Sequence, residues 1–143
     1  MSLLPWDPQK FDVLVEEMNR QHHGLVDAMN ELHQRAHAGA GKAELTRLLQ
    51  HLERLTVRHF REEEAMLARQ HYPQLEIHKG IHARLLKGLA EHKQAFLDGP
   101  GTFTREFFEY LELWLRSHIM HIDRKYGEHF AHERKKATAT ATA

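Results

Sequence analysis

The sequence predicts an all-α fold, an antiparallel up-down-up-down four-helix bundle with an N-terminal arm. Glycine and proline interrupt the 143-residue chain at only three internal places. The long segments between these breaks are rich in Leu, Glu and Arg and contain almost no runs of β-branched residues, which favours helices. Because only short connections join the long helices, neighbouring helices are expected to run antiparallel.

The elements follow from the positions of these breaks. An arm with Pro5 and Pro8 precedes the bundle. The four helices are predicted over residues 11–37, 42–69, 74–97 and 104–130. Pro73 suits the first turn of the third helix, and Thr102 or Thr104 can cap the fourth. Residues 133–143 end in alternating Ala and Thr without apolar periodicity, so a flexible tail or linker is expected after a domain over 1–132.

Composition excludes several classes of function. Twenty basic residues balance twenty acidic ones, so no basic field favours nucleic acid or a membrane surface. The chain has no cysteine, which rules out disulfides and thiolate metal sites. No apolar run approaches the roughly 20 residues needed to span a bilayer, and no leader peptide is evident. We therefore expect a cytoplasmic protein that binds neither nucleic acid nor membrane.

Histidine is the conspicuous residue type, with 14 copies, and its placement is informative because histidine is the commonest metal ligand. Steps of three and four residues put several histidines on the apolar stripes that should face the core. His23 is rotated about 100° from its neighbour and should face solvent. The polar residues on the core stripes are His22 in the first helix, His59 and Glu63 in the second, His78 and His82 in the third, and His118 in the fourth.

These residues should meet in one layer of the bundle. His22 and His59 lie about 24 and 27 Å from the first break at a rise of 1.5 Å per residue, and His82 and His118 are equally far from the third. Any one histidine on an apolar stripe is more often a hydrogen-bonded core residue than a ligand. Five histidines and Glu63 buried without metal would leave many polar atoms unsatisfied, at roughly 1–3 kcal/mol each.

The ligand number exceeds what one tetrahedral zinc ion takes, which favours two transition-metal ions with Glu63 bridging them. Asp123 is the candidate for a second bridging acid. It lies five residues beyond His118, about 140° away on a regular α-helix, so convergence would require a local π-bulge. Without that bulge, Asp123 is equally well interpreted as a surface carboxylate.

The order of these motifs resembles that of the bacterial hemerythrins over nearly the whole chain. The matching motifs are Gln21-His22 with Leu25 and Asn30, His59-Phe60-x-x-Glu63-Glu64, Tyr72-Pro73 with His78-x-x-x-His82, and Trp114-Leu115-x-x-His118-Ile119-x-x-x-Asp123. The resemblance implies two non-haem iron ions with an oxo or hydroxo bridge. It implies that His78, His82 and His118 bind one iron, that His22 and His59 bind the other, and that Glu63 and Asp123 bridge them.

The resemblance also implies reversible O2 binding at the iron with only two histidines, hence an oxygen carrier, storage or delivery protein without catalytic residues. Phe60, Trp114, Leu115 and Ile119 are expected near an apolar O2 pocket, although each is equally typical of ordinary bundle core. One departure from the common pattern is Asn19, which replaces the acid that often precedes the glutamine-histidine pair.

Other functions remain open on the sequence alone. An O2- or redox-sensing regulatory domain, acting on an unidentified protein partner, would use the same site, and so would iron or nitric oxide handling. A ferritin-like di-iron oxidase is disfavoured because that class uses Glu-x-x-His motifs, which this sequence lacks. A bundle without metal is disfavoured by its buried polar layer.

Overall fold

A computed structural model describes residues 2–142, with side chains described up to residue 140. Its helices form the predicted four-helix bundle, and the described residues include no strand. The helices are α1 (Glu16–His37), α2 (Lys42–Arg69), α3 (Leu75–Asp98), α4 (Arg105–Ser117) and α5 (Arg124–Thr142), with a π-helical segment (His118–Asp123) between the last two. Residues 1 and 143, which belong to the predicted domain and tail, lie outside the described range.

The apolar stripes of the helices form the core, and the buried face of α2 is broader than its stripe. Steps of three and four residues from Leu45 place Leu48 and Leu55 on the core stripe, but these two are half-buried, whereas Leu49 and Thr56 are buried. The buried face of α2 therefore includes residues beside the stripe as well as residues on it. This is expected of an apolar face that covers 100° or more of the helix circumference. In α3, His92 is half-buried near the end of the helix.

The first helix begins at Glu16, five residues later than predicted, because the preceding residues form part of the arm. Leu14 has φ of 64°, a left-handed conformation that α-helix excludes. The side chain of Asn19 accepts a hydrogen bond from the Val13 N–H at 2.9 Å and donates one to the Asp12 carboxylate at 2.9 Å. An acid at position 19 could accept the first bond but could not donate the second.

Further hydrogen bonds and close packing attach the arm to the bundle. The Asn30 side chain accepts a hydrogen bond from the Leu4 N–H and donates one to the Leu4 carbonyl, both at 2.9 Å. Gly127 lets the backbone of Val13 approach α5, since a Cβ at this position would lie 1.7 Å from the Val13 carbonyl oxygen. The arm buries Leu4, Phe11 and Val13 and therefore belongs to the core.

The fourth bundle helix is interrupted by the π-helical segment that the position of Asp123 required. Thr104 caps α4 by accepting a hydrogen bond from the Phe107 N–H. At the end of the π segment, the Arg124 N–H donates to the Ile119 carbonyl, five residues earlier. This extra residue shifts the buried face. Ile119 is fully buried, whereas Ile122, which a regular period of four residues after His118 would place on the core stripe, is only half-buried.

Beyond residue 132 the chain is helical, since α5 continues to Thr142. Ala, Lys and Arg are strong helix formers, which explains the continuation without apolar periodicity. The side chains described from Glu133 to Thr140 are exposed. The flexible tail or linker expected over residues 133–143 stays a prediction.

No helix in the described part of the chain combines the length and the apolar character that a membrane span requires.

Candidate metal centre

The structure brings all seven predicted ligands into one layer, and none of them is more than 4% exposed. They form two groups in which one potential ligand atom from each residue lies within 4.8 Å of the others. The larger group, here called the three-histidine group, consists of Glu63, His78, His82, His118 and Asp123. The smaller, the two-histidine group, consists of His22, His59, Glu63 and Asp123. The two carboxylates are therefore common to both groups.

Glu63 directs one carboxylate oxygen to each group. Its Oε1 atom lies 2.8 Å from His78 Nε2 and 3.0 Å from His82 Nε2. Its Oε2 atom lies 3.3 Å from His59 Nε2 and 3.5 Å from His22 Nε2. A carboxylate in this position can bind a separate cation through each oxygen.

Asp123 divides its oxygens between the groups in the same way. Its Oδ1 atom lies 3.0 Å from His118 Nε2 and 3.1 Å from His78 Nε2, and its Oδ2 atom lies 2.9 Å from His22 Nε2. The π segment makes this possible, because it places His118 and Asp123 on the same face of the helix. The sequence hypothesis of a π-bulge at this position is thus confirmed.

Electrostatics within the layer favour charged side chains in spite of burial. Burial alone lowers the pKa of His22 and of His78, but the adjacent carboxylates of Asp123 and Glu63 outweigh it and raise each pKa to about 9. Burial raises the pKa of Glu63, while the surrounding imidazoles, His59 foremost, hold it well below its usual range. In the metal-free protein both imidazoles are therefore doubly protonated and positively charged at neutral pH.

Residues outside the layer orient two of the imidazoles. His59 Nδ1 lies 2.6 Å from Gln21 Oε1, and Gln21 Nε2 donates to Glu62 Oε2 at 2.6 Å. A carboxylate only accepts, so the amide nitrogen of Gln21 must face Glu62 and its oxygen must face His59. His82 Nδ1 donates to Glu64 Oε2 at 2.7 Å. Both histidines thus keep Nε2 free for a ligand directed into the layer.

Helical periodicity assigned no role to Tyr126, whose hydroxyl donates to Glu63 Oε2 at 2.9 Å. The residue is fully buried, and burial together with the charge of Glu63 raises its pKa well above the ordinary value. Its position three residues after Asp123, on the same helical face, is the one signal that points to it. Gln21 and Glu64 adjoin ligands in the motifs, but their hydrogen bonds depend on rotamers that spacing does not define.

The four apolar residues expected around an O2 pocket are all buried. The Phe60 ring stacks on His82 with centroids 3.7 Å apart, and it lies 5.8 Å from the ring of His59. Trp114 contacts the edge of Phe60 and of His118, with centroids 6.1 and 6.3 Å apart. Phe60 and Trp114 therefore lie mainly beside the three-histidine group, and Leu115 and Ile119 belong to the same buried core.

The buried nitrogen and oxygen atoms of this layer are better arranged to bind cations than to form hydrogen bonds with one another. The Nε2 atoms of His22, His59, His82 and His118 are buried, as are both oxygens of Asp123, and none makes a hydrogen bond of good geometry within the described chain. These atoms approach one another only as ion-pair contacts between imidazole and carboxylate, for example His22 Nε2 and Asp123 Oδ2 at 2.9 Å. Because a buried polar atom without a well-aligned hydrogen bond costs roughly 1–3 kcal/mol, cations bound among them would stabilise the layer. Neutral imidazoles mixed with carboxylates suit transition metals such as iron.

The fold and the layer define a class, that of four-helix proteins with a buried histidine and carboxylate metal site. The family description "Hemerythrin HHE cation binding domain" matches residues 13–130. The chain belongs to the hemerythrin family, whose members include familiar examples of this up-down-up-down bundle.

Individual relatives agree with this assignment. The chain is 28% identical to a bacteriohemerythrin of Methylococcus capsulatus over 127 residues, which cover 89% of this chain and 96% of that protein. It is 27% identical over 121 residues to a myohemerythrin of Theromyzon tessulatum, covering 85% and 88% of the two chains. A crystal structure of wild-type hemerythrin superimposes with a TM-score of 0.81 at 28% identity, covering 89% of this chain and 97% of the other.

Proposed function

We propose that the protein binds O2 reversibly at two non-haem irons held in this layer and that it serves as an oxygen carrier, storage or delivery protein. The observation that carries the proposal is the unequal pair of groups joined by Glu63 and Asp123. His78, His82 and His118 would hold one iron, His22 and His59 the other, and the two carboxylates would bridge them. Two ferrous ions, if held in this way, would supply the two electrons that reversible O2 binding requires.

The difference in ligand number gives the two irons different tasks. With one imidazole fewer, the two-histidine group would leave a coordination position on its iron open to a small ligand. Tyr126 holds Glu63 in place through its hydroxyl. Phe60, Trp114, Leu115 and Ile119 are buried, and they would keep bulk water and external acid, which displace the bound ligand and leave the irons oxidised, out of the layer.

Optical spectroscopy of the iron-loaded protein tests this proposal. Protein loaded anaerobically with Fe(II) should contain two irons per chain and develop visible absorption bands on exposure to air. The bands should fade when the sample is degassed and return with further air. His59→Ala, which removes a ligand of the two-histidine group, should abolish the cycle, whereas the exposed His51→Ala on the same helix should retain it.

Two outcomes would contradict the proposal. Two irons that oxidise in air and never return to the ferrous state on degassing would indicate a redox sensor or an oxidase. A protein that binds no iron under these conditions would show that the histidine layer has another role.

A further inference from the structure

The two groups differ in the residues that hold their imidazoles from outside the layer. In the three-histidine group, His82 Nδ1 donates to the carboxylate of Glu64 at 2.7 Å. In the two-histidine group, His59 Nδ1 donates to the neutral amide oxygen of Gln21 at 2.6 Å. On its other side, that amide donates to Glu62 Oε2 at 2.6 Å, and Glu62 in turn pairs with Arg58 at 3.5 Å.

This difference in charge changes how strongly Nε2 of each imidazole donates its electron pair to a metal ion. A hydrogen bond to an ionised acceptor is roughly twice as strong as one between neutral groups. An imidazole whose N–H is held by a carboxylate is a more basic ligand, and such partners commonly change metal affinity by about 10- to 100-fold. A more basic ligand stabilises the more highly charged ferric ion over the ferrous ion.

We propose that Glu64 and Gln21 are positioning residues that set unequal reduction potentials at the two irons. Glu64 stabilises the ferric state at the three-histidine group, and Gln21 leaves the two-histidine group easier to reduce. Stepwise reduction of the fully oxidised centre therefore begins at the two-histidine iron and ends at the three-histidine iron. The inference rests on the proposed function, since it requires that both groups hold iron.

Two variants change the strength of these imidazole ligands while keeping the number of ligands in each group. Glu64→Gln keeps a hydrogen-bond acceptor for His82 but removes its charge. The double variant Q21E/E62Q exchanges the two side-chain types, so a carboxylate accepts from His59 while the amide at position 62 donates to it. The double variant keeps both net charge and the pattern of hydrogen bonds.

Potentiometric titration of the protein loaded with iron, with dithionite as reductant, measures the two one-electron steps separately. Glu64→Gln should favour the ferrous state in the second step by about tenfold, which is about 59 mV for one electron. Q21E/E62Q should favour the ferric state in the first step by a similar factor. Glu64→Asp, which restores the charge, should return the second step towards its original potential.

A surface variant controls for net charge. Glu76→Gln removes the same charge from an 86% exposed side chain in the first turn of α3 and should shift neither step. Equal shifts in Glu64→Gln and Glu76→Gln, or a Q21E/E62Q protein with both potentials unchanged, would overturn the inference. A wild-type protein without two irons would contradict the proposed function instead, so the two failures are distinguishable. If Glu64→Gln does not fold, Q21E/E62Q decides alone.

Discussion

The three-histidine and two-histidine groups use the same kinds of ligand but draw them from the bundle differently. Two ligands of the larger group, His78 and His82, come from consecutive turns of α3, and His118 comes from the π segment. The smaller group takes one histidine each from α1 and α2. The two groups thus differ in their number of histidines because one helix contributes two. The shared acids Glu63 and Asp123 keep the two groups adjacent.

Removing a shared acid should have the largest effect, because it acts on both groups. Asp123→Ala should abolish binding of both irons and destabilise the metal-free fold by about 3–5 kcal/mol, since it leaves buried imidazolium without its partner. Iron analysis and urea unfolding measure the two effects. Asp27→Ala, which removes a 72% exposed acid from α1, is the matched control and should retain both irons. Two irons in Asp123→Ala would contradict the shared role.

Removing a ligand that belongs to one group should affect that group first. His118→Ala should lower the iron content from two per chain to about one, because the three-histidine group loses a ligand while the other keeps all four. His23→Ala should retain both irons, since its ring is half-exposed and stacks on Trp6 with centroids 4.5 Å apart. Unchanged iron in His118→Ala, or loss of iron in His23→Ala, would show that the groups are assigned wrongly.

The metal-free and iron-loaded proteins should respond to pH in opposite ways. The pKa values of His22 and His78 rise from 6.5 to about 9 on folding without metal. Their contribution to stability is complete below pH 6.5 and is lost as pH rises to 9, at about 1.4 kcal/mol per pKa unit for each group.

Iron requires both rings deprotonated, so loading at about pH 7 should release protons and should weaken as pH falls. Thermal unfolding at pH values from about 6 to about 9 measures the first trend, and iron titration in weak buffer measures proton release. A metal-free protein that becomes more stable between pH 6.5 and 9 would contradict the assigned protonation.

The smallest effect concerns the support of Glu63. Tyr126→Phe removes a buried hydrogen bond to a carboxylate and should destabilise the metal-free protein by about 1.5–3 kcal/mol. Tyr110→Phe is the matched control, because its hydroxyl donates to the neutral Leu85 carbonyl, at a cost of about 0.5–1.5 kcal/mol. Equal losses in the two variants, measured by urea unfolding, would argue against a special role for the Glu63 contact.

Much of the fold and the metal layer could be predicted from the sequence because both depend on helical periodicity. Helical phase and distance from the breaks are enough to place His22, His59 and His118 at one level. From the sequence, the π segment could be predicted only as a condition for Asp123 to reach the same layer as His118. Its effect on Ile122 does not follow from a regular helical period, which places that residue on the core stripe.

The remaining features depend on contacts between distant parts of the chain. The late start of α1 results from the left-handed Leu14 and the hydrogen bonds of Asn19. The bond from Tyr126 to Glu63 joins residues 63 positions apart. Local propensity and periodicity contain no information about either arrangement.

The most direct test of the central claim is a crystal structure of the iron-loaded protein with anomalous diffraction measured at the iron absorption edge. Two anomalous peaks per chain are predicted, one between His78, His82 and His118 and the other beside His22 and His59. Glu63 and Asp123 should each place one oxygen on each peak. A single peak, or a peak outside this layer, would contradict the assignment of two iron sites joined by shared carboxylates.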